Sequence, residues 1–181
     1  MAEQNENSPE QNLKQTQEEL NPSKVSKLRS SEKSLLRLLE NENPVPNSVI
    51  SQSLDEIVLS VPTEEIQEAA LKLRQSEGFA FDYLRCLSVV DYEEYFEIVY
   101  HIWSRLYRHK LTLKTTADYN DPIIKSVTPI WKSADWFERE GHELFGIDFK
   151  GHGNLKPLLL WEGFEGYPGR KSYPFHEYSE W

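Results

Sequence analysis

Tyr95-Phe96-Glu97-Ile98-Val99-Tyr100-His101-Ile102-Trp103 alternates Phe, Ile, Tyr and Ile with Glu, Val, His and Trp. A period of two belongs to a strand with one buried face. Val99 and Trp103 leave the second face only partly polar, which makes a covering helix an option. Leu84 to Val90 upstream and Lys110 to Thr116 downstream read as further strands, with a turn at Asp91-Tyr92-Glu93-Glu94. Strands joined by connections this short pair antiparallel.

Working outward, Ile57-Val58-Leu59-Ser60-Val61 reads as another strand. Pro62-Thr63 then leads into a helix at Glu64–Glu77, with Thr63 as N-cap, Glu64 and Glu65 in the positive first turn, and Gly78 as the stop. Ile66, Ala69, Ala70 and Leu73 recur at helical spacing and predict one buried stripe. Glu32–Glu40 suits a short helix with Leu35, Leu36 and Leu39 on one side, broken by Pro44 and Pro46. A last helix, 134–145, is capped by Ser133 and stopped by Gly146. Residues 1–30 are polar and too poor in apolar side chains to offset chain entropy, so they read as a disordered tail. Residues 31–150 form the domain.

Residues 151–181 hold most of the glycines, three prolines (Pro157, Pro168, Pro174) and the aromatics Trp161, Tyr167, Tyr173, Tyr178 and Trp181. Gly and Pro at this density oppose regular structure, yet so many aromatics should not lie free in water. An extended docking arm whose aromatics insert into another surface reconciles the two; a Gly-rich disordered tail is the bland alternative.

At 181 residues the chain suffices for one ordinary domain with tails. No apolar run approaches the roughly 20 residues that cross a bilayer. Met1-Ala2-Glu3-Gln4-Asn5-Glu6 offers neither the basic start nor the apolar segment of a secretory signal. The formal net charge of -10 disfavours binding to nucleic-acid phosphates, which needs a basic surface, and adhesion to an anionic membrane. A cytosolic compartment is expected. Cys86 is the single cysteine, and one thiol cannot form an internal disulfide, a Cys-based zinc site or an iron–sulfur cluster.

The densest chemistry lies in Glu138-Arg139-Glu140 and Glu143. Trp136, Glu140 and Leu144 fall at i, i+4 and i+8, with Phe137 three before Glu140, which places Glu140 in the apolar stripe as a buried, paired carboxylate. Arg139 faces the other way and reaches Glu143 at i+4. Glu138 shares its face with Ala134, His142 and Phe145. Two readings stand: an ion-paired packing or interface helix, and a general acid/base pair of the glycosidase kind in a stand-alone hydrolase. Carboxylates two apart project about 200° from each other, so Glu138 and Glu140 cannot flank one bond, which favours the first.

The histidines His101, His109, His142, His152 and His176 include no pair at the i, i+4 spacing of a helix-borne zinc site. His142-Glu143 lacks the rest of the metalloprotease motif. Ordinary hydrogen-bonding roles are expected, with His152 ordering its Gly-flanked loop just before Lys156. Gly163-x-x-Gly166-x-x-Gly169-Arg170-Lys171-Ser172 has neither the preceding strand, the Gly-Lys-Ser/Thr end nor the following helix of a phosphate loop. Arg170 and Lys171 are instead expected to pair with acidic groups on a partner. Cys86, within a strand pattern, reads as a small core residue.

Trp131-Lys132-Ser133-Ala134-Asp135-Trp136-Phe137-Glu138-Arg139-Glu140, then Glu143-Leu144-Phe145-Gly146-Ile147, Gly151-His152 and Asn154-Leu155-Lys156 resemble the signature of the thirty-kilodalton subunit of complex I. This is the C-type component of bacterial NADH–quinone oxidoreductase, called J in cyanobacteria and chloroplasts. Gly166-Tyr167-Pro168, Arg170-Lys171 and Tyr173-Pro174 resemble the family's C-terminal end, and Val90-Asp91-Tyr92 and Val99-Tyr100-His101 its weaker upstream pattern. The likeness covers about residues 55–176. Gly153, Pro157 and Trp161 depart from the usual Pro, basic residue and Pro, and Gly169 and Ser172 replace Leu and Asp. The electron donor is therefore left open, since related chains serve in coenzyme-F420 dehydrogenases and membrane hydrogenases.

The resemblance implies an α+β fold: a mainly antiparallel sheet with flanking helices, followed by an extended C-terminal arm. It implies a non-catalytic subunit bearing no cofactor, the iron–sulfur clusters and quinone belonging to partner subunits. Those partners would be the hydrogenase-like quinone-site subunit (D type), the terminal iron–sulfur subunit (B type) and the ferredoxin-like subunit (I type). The location implied is peripheral, on the cytoplasmic face of the inner membrane. Glu138, Arg139, Glu140, Glu143, Leu144, Phe145, His152 and Lys156 would build or support the docking surface, with Arg170 and Lys171 clamping a neighbour.

Overall fold

The computed structural model describes residues 30–53 and 56–174. The tail expected over residues 1–30 falls almost wholly outside them, as do His176, Tyr178 and Trp181. In chain order come α1 (Ser30–Glu42), β1 (Val49–Ser53), β2 (Glu56–Ser60), a 3₁₀ turn (Thr63–Glu65), α2 (Ile66–Gln75), β3 (Tyr83–Asp91), β4 (Tyr95–Trp103), β5 (Lys110–Asp118), β6 (Ile123–Lys125), α3 (Ala134–Phe145) and β7 (Asp148–Lys150).

The first five strands form one sheet in the order β1-β2-β5-β4-β3, antiparallel throughout except for the parallel pair β2–β5. Its register explains the alternation of the β4 sequence. Leu59, Leu113, Tyr100 and Leu87 stand side by side across four strands, and Ile57, Leu111, Ile102 and Leu84 form the next such row. All eight are buried, and Leu35, Leu36 and Leu39 of α1 and Ile66, Ala69, Ala70 and Leu73 of α2 join the same core. The opposite face carries Val58, Thr112, His101 and Cys86 in one row. There Glu56 accepts hydrogen bonds from Lys110 Nζ and Thr112 Oγ1, both at 2.7 Å, and Lys114 pairs with Glu97 at 2.9 Å. Lys110, Thr112 and the more distant His101 hold Glu56 below the usual carboxylate range despite its burial. This face is polar and paired with itself, so the partly apolar alternation of Val99 and Trp103 did not require a covering helix.

β1 was not foreseen. Val49-Ile50-Ser51-Gln52-Ser53 is a weak strand pattern that gains its conformation by antiparallel pairing with β2. Thr63 does not cap: its hydroxyl donates to the Thr116 carbonyl, and the chain enters α2 through the 3₁₀ turn after Pro62. Ser133 occupies the N-cap position of α3, but its hydroxyl donates to the Leu84 carbonyl. Gly146 ends α3 in the left-handed conformation (φ 75°), and its amide returns to the His142 carbonyl at 2.8 Å.

β6 and β7 pair in parallel on either side of α3 in sequence, forming a small second sheet. α3 lies against β3, and Gly141 allows the approach: a Cβ there would come within 3.2 Å of Val89 and 3.3 Å of Phe149. Leu113, fully buried between Leu59 and Tyr100, tests the core. Leu113→Ala is expected to lower unfolding free energy by about 2–5 kcal/mol, read by denaturant titration.

Candidate functional site

The buried residues of α3 are Ala134, Glu138, Gly141 and Glu143. This corrects the expectation for Glu140, which is exposed, as is Trp136 at 65%. The inward stripe runs Ala134–Glu138–Gly141–Phe145, because small residues let the helix approach β3 while the indole of Trp136 fits only outside. The large aromatic drew the sequence reading to the wrong face; Ala134 and Gly141 at helical spacing were the available signal.

Glu138 is fully buried, yet each oxygen meets a donor. Ser126 Oγ donates to Oε2 at 2.6 Å and the Val127 amide to Oε1 at 2.7 Å. Ser126 is itself held, since Gln67 of α2 donates to its carbonyl at 2.7 Å. The carboxyl thus ties α3 to the segment that follows β6. Burial raises its pKa to about 7 against the pull of those two hydrogen bonds, with Asp135 adding repulsion. Tyr100 is also buried, and its phenol is pushed well up by burial and by the nearby Glu138.

The other buried carboxylate, Glu143, faces the chain beyond β7. Its oxygens accept the amides of Leu158 and Leu159 at 2.8 Å and of Leu160 at 3.2 Å. Arg139 does not serve Glu143 as expected; its Nε and Nη2 donate to the carbonyls of Lys156 and Pro157 at 2.9 and 2.8 Å. Both side chains are spent on backbone, where their geometry is better than a solvated i, i+4 pair allows. Lys156 contributes that carbonyl, and its side chain lies exposed. His152 does order its loop: its side chain is fully buried, Nε2 lies 3.2 Å from Asp135, and Nδ1 accepts the Asn154 amide at 3.0 Å. Leu144 and Phe145 are half-buried, Phe145 edge-on to Phe96 at 6.1 Å between centroids.

Arg170 differs from its expected role as a clamp on a neighbour. Its guanidinium lies over the rings of Phe96, Tyr119 and Tyr167 at 5.0, 5.2 and 4.8 Å, and Nε donates to the Phe145 carbonyl at 2.7 Å. Lys171 stays exposed; its amide donates to Asp91 at 2.8 Å, and Nζ sits 3.5 Å from Glu93. The three aromatics gather the cation here, an arrangement with no linear signature. Leu159 and Trp161 remain 63% and 70% exposed, on the chain that Glu143 holds.

Glu138 and Glu140 share no cleft, one being sealed in the core and the other in solvent. Among the described residues, no group of three or more His, Cys, Asp or Glu could hold a metal ion, and no helix is long and apolar enough to cross a membrane.

Glu138 makes stability fall with pH. Its folded pKa of about 7 lies above its ordinary value of 4.5, so between these limits the folded chain binds a proton that the unfolded chain has lost. The stabilisation is complete below about pH 4.5 and declines as pH rises toward 7, by on the order of 3 kcal/mol. Glu138→Gln keeps an acceptor for Val127 and offers a donor to Ser126. The difference in unfolding free energy between wild type and E138Q, measured from pH 4.5 to 8, should show this slope.

Residues 59–179 match the family described as respiratory-chain NADH dehydrogenase, 30 Kd subunit. The C 2 chain of the NADH-quinone oxidoreductase of Rhizobium etli (strain CIAT 652) is 38% identical over 126 residues, 68% of this chain and 67% of that one. The C chain of the same oxidoreductase in Caulobacter sp. (strain K31) is 39% identical over 133 residues, 72% of this chain and 62% of its own. The chain thus spans about two thirds of the length of these relatives. A trypsin-resistant fragment (1-134) of Nqo5 superposes with a TM-score of 0.56 at 27% identity, covering 67% of this chain and 99% of that one. A chain of a membrane-bound sulfane sulfur reductase, described as an archaeal respiratory membrane complex, shares the fold with a TM-score of 0.66 at 22% identity, covering 81% and 86%. With the family matched from the β2 strand through the arm, this chain belongs to the 30 kDa subunit family of respiratory-chain NADH dehydrogenases.

Proposed function

We propose that this chain is a cofactor-free structural subunit of a proton-pumping NAD(P)H- or other donor-quinone oxidoreductase, catalysing no bond chemistry itself. In this reading it sits peripherally at the cytoplasmic face of the inner membrane. It braces the hydrogenase-like quinone-site subunit, the terminal iron–sulfur subunit and the ferredoxin-like subunit, which hold the redox groups. The domain of residues 31–150 supplies the scaffold and residues 151–181 the docking arm.

The observation that carries this is the exposure of Trp136, Leu159 and Trp161, 65%, 63% and 70%, on a helix and loop joined by backbone amides bonded to the buried Glu143 carboxylate. Large apolar side chains held out on ordered backbone suit the anchor positions of a protein interface. The separation of Glu138 from Glu140 leaves the hydrolase reading without a paired catalytic centre, and nothing else favours it.

Trp161→Ala and Trp136→Ala, introduced in the cell of origin, are expected to lower the yield of assembled oxidoreductase on native gels. Each should weaken association by roughly 2 kcal/mol, a factor of about 30. The unfolding midpoint of the purified chain should stay within a few degrees of wild type. Undiminished assembly in the double variant would overturn the docking role.

A further inference from the structure

Residues 156–171 leave α3 and return to it. We propose that Glu143 and Arg170 are positioning residues that hold this loop in its docking shape before a partner arrives, setting affinity without touching the partner. The inference rests on the loop being a docking surface and adds how that surface is prepared.

At the departing end, Arg139 and Glu143, one turn apart on α3, engage five successive residues. Arg139 donates to the carbonyls of Lys156 and Pro157, and Glu143 accepts the amides of Leu158, Leu159 and Leu160. Consecutive amides converging on a carboxylate form a concave anion seat, here filled from within the chain. Glu143 is only 7% exposed, so it is closed to a partner.

At the returning end, the Gly169 amide donates to the Leu144 carbonyl at 2.9 Å, while Arg170 lies among its three rings and donates to Phe145. The space is tight: a Cβ on Gly169 would meet the Leu144 carbonyl at 2.9 Å, and one on Gly146 would reach the Tyr167 ring at 2.6 Å. The Lys171 amide on Asp91 and the Tyr119 hydroxyl 3.0 Å from that of Ser172 continue the attachment onto the main sheet. Between the two ends Trp161 packs edge-on against Phe164 at 4.7 Å, and Phe164 lies 6.1 Å from Tyr173. A loop fixed at both ends loses little freedom on binding.

The test uses the full chain and, as probe, the purified quinone-site subunit of the same oxidoreductase. Glu143→Gln replaces one acceptor oxygen with an NH2 group facing amides. Arg170→Lys keeps the charge but loses the planar stack and the Nε donor. In the free chain, E143Q is expected to bring hydrogen exchange at Leu158, Leu159 and Leu160 close to the unprotected rate, and R170K to do so at Gly169, Arg170 and Lys171, leaving roughly a tenth of the molecules in the docking shape. Each should weaken binding about tenfold, mainly through slower association. Trp161→Ala should instead speed dissociation and leave exchange at the three leucine amides unchanged. Faster exchange in both variants with undiminished affinity, or unchanged exchange in both, would overturn the positioning role. Undiminished binding by Trp161→Ala alone would overturn the docking reading instead, so the two failures are distinguishable.

Discussion

A carboxylate withdrawn from water must be met by donors, and α3 withdraws two of them on different sides. Glu138 closes on Ser126 and Val127, and Glu143 on the amides of residues 158–160. Neither is matched by an arginine or lysine side chain in these contacts; backbone amides carry most of the load. Amides are placed by the course of the chain, so each carboxylate fixes the path of an irregular segment more narrowly than a mobile cation would. The two segments flanking α3 in space owe their shape to one helix turn each. The sheet beneath, with its rows of buried Leu, Ile and Tyr, gives that helix a floor at the distance Gly141 allows.

The two faces of the main sheet divide the labour. One is mainly apolar, with Gln52, Asp91 and Thr115 as its buried polar members, and receives the helices. The other neutralises its own charges through Glu56 with Lys110 and Glu97 with Lys114, leaving little unsatisfied polarity. Large apolar side chains are exposed on α3 and the loop beside it, and also at Tyr83, Trp103 and Leu106 along the open face and the β4–β5 turn. The paired charges at the centre of the open face suit a surface in water, while Trp136, Leu159 and Trp161 do not.

The strands of the meander were legible because alternation survives in single residues: Phe96, Ile98, Tyr100 and Ile102 name the inner face without help from neighbours. The stripe of α2 and the leucines of α1 were equally plain. The Glu-Arg-Glu block and its sequel identified the family, since that pattern is specific in linear form. What escaped depends on encounters between distant segments. β1 is a strand because β2 lies beside it. The rotation of α3 was misread because Trp136 outweighed Ala134 and Gly141, although closeness, not hydrophobicity, decides the inner face of a helix laid on a strand. Thr63, Ser133 and Arg139 were assigned local partners and found better ones far along the chain. Arg170 was given to a neighbour because three rings from three segments meet around it only after folding.

The parallel pair of β2 with β5 has a consequence for how the molecule is made. Ile57 must find Leu111 across the whole of α2, β3 and β4, whereas the β3–β4 and β4–β5 pairs close through short turns. Loop closure of that length makes the parallel contact slow relative to the hairpins. During synthesis β1 and β2 emerge together and pair, but the β2 edge that receives β5 waits until β5 has left the ribosome. For that interval one edge of an apolar strand is open to wrong partners.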